Sequence, residues 1–136
     1  MRILQLGLVM AFTALTCGPA LACKCGSPSK SPTELADDGW VVVKGVAVSE
    51  DISSQPNGNV AYRFKVSHAV NARLRGEITL KSGVHSASCG ARLEVGAVSL
   101  VRLHRNQSGE YWFASCGQYA IQHDLDGWNA VLDAAE

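Results

Sequence analysis

The spacing of its cysteines constrains this chain more than any other feature. Cys23 and Cys25 flank Lys24, and the next two stand far along the chain, at Cys89 and Cys116. Four cysteines can pair in three ways. A Cys23–Cys25 bridge would close a ring so small that the backbone strains. Each of the two is therefore expected to reach one of the distant pair, and which reaches which stays open on this ground. The segment 23–25 would then be fastened to the body of the fold at two points.

Such bridges need an oxidising compartment, and the N-terminus gives a reason to expect one. Met1 and Arg2 form a short positive region, and Ile3 to Leu15 is apolar except for Gln5, Gly7 and Thr13. Ala20-Leu21-Ala22 then places small residues at the −3 and −1 positions of a signal-peptidase site. The apolar run is shorter than the ~20 residues of a membrane-spanning helix, so residues 1–22 read as a leader removed after Ala22. In a lipoprotein Cys23 would carry lipid, but that processing usually wants Leu at −3, where this chain has Ala20.

Cleavage leaves residues 23–136, enough for one compact domain and not for two. Cys17 departs with the leader, and 11 basic residues face 12 acidic ones. That balance excludes a nucleic-acid binder of the ordinary basic kind. No second apolar span appears, and a monomer is expected.

Along the chain, Ser31-Pro32-Thr33-Glu34 reads as a capping box that starts a short helix. Strand signals follow. Trp40–Val48 is a β-branched run long enough to be buried on both faces, and Asp51–Asn59 has turn chemistry. Val60, Tyr62, Phe64 and Val66 alternate onto one face. Gly76–Val84 puts Ile78 and Leu80 together, Gly96–Arg105 offers a fourth strand, and Asn106–Glu110 is a turn into Tyr111–Cys116. Leu125, Trp128, Val131 and Leu132 keep helical spacing. The expected fold is all-β with flanking helices: a small five-stranded OB-like barrel with a C-terminal helix.

A chain that opens Cys-X-Cys after a leader, then offers a strand, a later Cys89-Gly90 and a last strand ending in Cys116, resembles the tissue inhibitors of metalloproteinases. The resemblance is to their N-terminal inhibitory domain, a netrin-like module, and runs over roughly residues 23–121. It implies the pairs Cys23–Cys89 and Cys25–Cys116. The animal inhibitors carry a third disulfide and a large C-terminal subdomain that this chain lacks, so it looks like a stripped-down domain of bacterial type.

The resemblance also implies a function. Cys23, as the mature N-terminal residue, would chelate the catalytic zinc of a metalloprotease through its α-amine and carbonyl oxygen. Lys24 would enter the primed-side specificity pocket, where the animal inhibitors place Thr or Ser. Cys25, Ser88, Cys89 and Gly90 would form the neighbouring binding ridge. The alternative is a secreted netrin-like binding or scaffold module without zinc chemistry, in which the cysteines only staple a small core.

Other chemistry finds little support. Cys-Lys-Cys could hold Cu(I) only if reduced, and redox exchange usually uses Cys-X-X-Cys. His68, His85, His104 and His123 lack ligand spacing and read as surface or strand-end residues. Ser86 and Ser88 beside His85 have neither a glycine elbow nor a third member. Asp37-Asp38 and Asp124/Asp126 read as helix-end charges, and Trp112, Phe113 and Trp128 as core. Asn106-Gln107-Ser108 matches a glycosylation sequon by chance. No enzyme activity, cofactor or metal of its own is expected.

Overall fold

The computed structural model describes residues 23–55, 58–84 and 89–135. The leader expected at 1–22 lies outside the described residues, as do the turn residues Pro56-Asn57, and His85, Ser86 and Ser88.

Helix α1 (Pro32–Asp37) starts as its sequence dictates. Ser31 Oγ accepts from the Glu34 N–H, Glu34 Oε2 accepts from the Ser31 N–H, and Pro32 fills the first turn, where its missing donor costs nothing. Five strands follow: β1 (Val41–Ile52), β2 (Asn59–Val70), β3 (Gly76–Gly83), β4 (Val98–Arg105) and β5 (Tyr111–Trp112). They close into a barrel in the order β1-β2-β3-β5-β4. Neighbours are antiparallel except β3 and β5, which run parallel. The OB-like five-stranded barrel expected from the strand signals is the observed architecture.

Alternation decides what fills it. Val60, Tyr62, Phe64 and Val66 on β2 point inward with Val43, Leu80, Val101 and Phe113. On β1 the adjacent Val42 faces outward and is equally inaccessible, because helices cover that side. This is why the β1 run is apolar on both faces. Two register shifts in the β1–β2 ladder, at Lys44/Gly45 and Ala47/Ser49, bend the long pair around the barrel.

Two elements differ from the sequence-based expectation. The strand expected over Tyr111–Cys116 pairs only at Tyr111–Trp112, and Cys116 lies instead in helix α2 (Ser115–His123). After Trp112 the chain makes one more bond to β3, Phe113 N–H to the Lys81 carbonyl at 3.0 Å, and then turns off the sheet. Gly117 lets α2 press close to β4, where a Cβ would meet the Arg102 side chain at 3.3 Å. The C-terminal helical segment is thus two helices, α2 and α3 (Leu125–Asp133). They break at Asp124, whose carboxylate accepts from the Gly127 N–H at 2.9 Å and caps α3.

Outside the barrel, Leu35, Val42, Leu100, Ile121, Trp128 and Leu132 form a second core. Trp40 stacks on Trp128 at 5.9 Å between centroids, and the Arg102 guanidinium lies 3.5 Å above the Trp40 ring.

Candidate functional site

The N-terminal strap has no regular secondary structure of its own, so covalent bonds hold it. Cys23 bonds Cys89 and Cys25 bonds Cys116, with Cα separations of 5.5 and 5.0 Å. These are the pairs that the family resemblance implied. Cys23 and Cys25 are half-buried, whereas Lys24 between them is exposed. Beyond Cys25 the strap follows α2: the Ser27 and Tyr119 hydroxyls stand 3.5 Å apart. The strap then enters α1, where Lys30 pairs with Asp38 at 2.6 Å.

The anchors are themselves tied together. Cys89 adopts a left-handed backbone, φ 58°, which costs a residue with a Cβ. The following Gly90 packs so close to the Gly83 carbonyl that no side chain fits. That contact is a physical reason for Cys89 to be followed by glycine. The Cys89 carbonyl accepts from Ser115 N–H at 2.8 Å, which joins the loop anchor of one disulfide to the helix anchor of the other.

Beneath this junction sits Ser82, fully buried on the inward face of β3. Its hydroxyl donates to the Phe113 carbonyl at 2.8 Å and accepts from Ala91 N–H at 2.9 Å. One side chain therefore binds both the loop that follows Cys89 and the segment that leads to Cys116. Further along that loop, Tyr62 Oη accepts from Leu93 N–H at 3.1 Å and from Arg92 Nε at 3.2 Å. Arg92 in turn pairs with Glu50 at 2.7 Å. Burial pushes the Tyr62 phenol above its ordinary range, so it acts as a neutral acceptor.

Cys89 also borders a cleft of about 310 Å³ lined by Asn59, Gly83, His104, Trp112 and Phe113. Burial, and then the Arg102 charge, hold His104 below the usual imidazole range. The histidines do not gather: His68 lies on β2, His104 on β4 and His123 on α2. Among the described residues no three of His, Cys, Asp or Glu are placed to hold a metal ion.

Of the site residues named from sequence, Cys23, Lys24, Cys25, Cys89 and Gly90 are brought together by the two disulfides, and Ser88 lies outside the described residues. Sequence reasoning missed Ser82, Tyr119 and the hydroxyl of Tyr62. For Ser82 a signal existed: it shares strand parity with Ile78 and Leu80, so a polar group was due on an inward face.

Chemically, the arrangement offers an exposed cationic tip on backbone whose position is set by two covalent bonds. The two disulfides also indicate an oxidising, extracytoplasmic setting. Among the described residues no helix is long and apolar enough to cross a membrane. Compared with models of known protein families and with curated protein sequences, the chain matches none.

Proposed function

We propose that the protein is a secreted inhibitor of zinc metalloproteases, built as a reduced netrin-like domain, that acts through Cys23. One observation carries this reading: residues 23–25 are bonded at both ends to anchors that are hydrogen-bonded to each other. A catalytic zinc with three protein ligands keeps a fourth position for water. Cleavage after Ala22 would give Cys23 an α-amine, and that amine and the Cys23 carbonyl oxygen can chelate the ion in a five-membered ring. For an ordinary chain end, ordering the segment would offset much of the gain. Here the disulfides meet that cost during folding.

The amine coordinates only when neutral, and an α-amine has an ordinary pKa of about 7.7–8.0. Inhibition is therefore expected to weaken as pH falls through that range. Extending the mature protein by one alanine before Cys23 tests the mechanism. Loss of inhibition across a panel of zinc proteases, with the melting temperature unchanged, is the expected result. Equal inhibition by the extended protein overturns chelation by Cys23.

The exposed Lys24 favours a second reading, since a cation suits an apolar specificity pocket poorly. On that reading the ridge binds a partner without zinc chemistry. The alanine extension then leaves partner binding unchanged, and no zinc protease is inhibited by either form.

A further inference from the structure

Six arginines fall among the described residues, and four of them are occupied. Arg63 makes a two-point pair with Glu77 at 2.7 and 2.9 Å. Arg92 is held by Glu50 and Tyr62. Arg102 lies over Trp40. Arg105 donates to the Gly109 carbonyl and covers the Tyr111 ring at 5.9 Å. Arg73 and Arg75 have no ion pair, hydrogen bond or ring contact among the described residues, and both line one cleft of about 720 Å³. Ser67, His68, Ala69, Ala72, Leu74 and Ala135 complete its walls.

The loop that carries them is fixed from both ends. Asn71 takes a left-handed backbone, φ 60°, and its side-chain amide donates to the Ala36 carbonyl at 2.6 Å and the Trp40 carbonyl at 2.9 Å. Gly76 closes the loop at φ 73°, a conformation that glycine adopts without penalty. Exposure alternates along Ala72–Arg75, with Leu74 packed on the barrel core between the two arginines. In an extended segment that alternation puts residues i and i+2 on one side, about 6–7 Å apart. Glu77, the acid nearest in sequence, is already taken by Arg63.

We infer that Arg73 and Arg75 form a binding site for a tetrahedral oxyanion, a phosphate or sulfate group. Two planar guanidinium forks on a braced loop present several N–H donors toward one cleft, and a tetrahedral anion has acceptor oxygens enough to meet both forks at once. The inference is independent of the proposed action of Cys23.

The test is an NMR titration of the oxidised protein with inorganic phosphate, followed on the arginine Nε–Hε resonances. Sodium chloride at equal ionic strength removes general screening from the comparison. Saturable shifts at Arg73 and Arg75 are expected, weakened about tenfold by either Arg73→Ala or Arg75→Ala, the loss of one charged hydrogen-bonding partner. Arg105→Ala, which removes the same charge elsewhere, should leave the titration intact. Equal shifts with chloride, or equal weakening in all three variants, overturn the site. Cosedimentation with phosphatidic acid vesicles, lost in the same two variants, assigns the anion to a lipid headgroup. Titration without cosedimentation assigns it to a soluble anion.

Discussion

Ser82 shows how much of the disulfide junction depends on a group buried beneath it. Replacing it with alanine removes a hydroxyl that satisfies both the Phe113 carbonyl and the Ala91 N–H. Leaving those groups without a partner is expected to cost about 1–3 kcal/mol. Urea unfolding of Ser82→Ala should show a lower midpoint at an unchanged slope, and an unchanged midpoint would remove Ser82 from the account of the site. At this scale the cysteines were the most legible residues, because a disulfide is chemistry that composition and compartment announce. Ser82 was less so. Its strand parity marked it as inward, but its two partners come from segments 9 and 31 residues away, which no local pattern reveals.

Among the elements, β1 and β2 follow directly from β-branched and alternating runs, and α1 from its capping box. Helix α2 does not. The stretch Tyr111–Cys116 reads as strand because Tyr, Trp and Phe favour one, and Gly117 weakens any helical signal. Tertiary contacts override both: β5 has room for two residues between β3 and β4, and α2 lies against β4. Helix α3 was legible from its apolar spacing, and its hold on the barrel centres on Trp128, fully buried and stacked on Trp40. Trp128→Ala is expected to cost about 3–5 kcal/mol. Trp128→Phe should cost much less, since the buried indole N–H has no acceptor among the described residues and no hydrogen bond is lost. Calorimetric melting of the two variants checks the order, and equal losses would show that the outer core does not depend on the volume Trp128 fills.

For the molecule as a whole, the parallel β3–β5 contact that closes the barrel joins segments about 30 residues apart. Strand signals could list the five strands but not this order. Acid stability is another global property with readable causes. Glu34 is held below the ordinary carboxylate value of 4.5 by the Ser31 N–H and hydroxyl, Glu77 by Arg63, and Glu110 chiefly by Lys81. Groups with depressed folded values stabilise the fold above their unfolded values and cease to as pH falls through the folded ones. His104 behaves likewise from its ordinary value of 6.5, because its neutral form is favoured in the fold. Two stages of acid destabilisation follow, one beginning near pH 6.5 and one near 4.5. Urea midpoints across pH should show both, and His104→Gln should erase only the upper one. Survival of the upper stage in that variant would assign it elsewhere. The two bridges, finally, set an order of events in time. Their partners lie 66 and 91 residues apart, so Cys25 leaves the ribosome long before Cys116 exists. At about 5–20 residues per second the wait is roughly 5–20 s. Throughout it the first two thiols are each other's nearest neighbours, and the segment made first is the last to be locked in place.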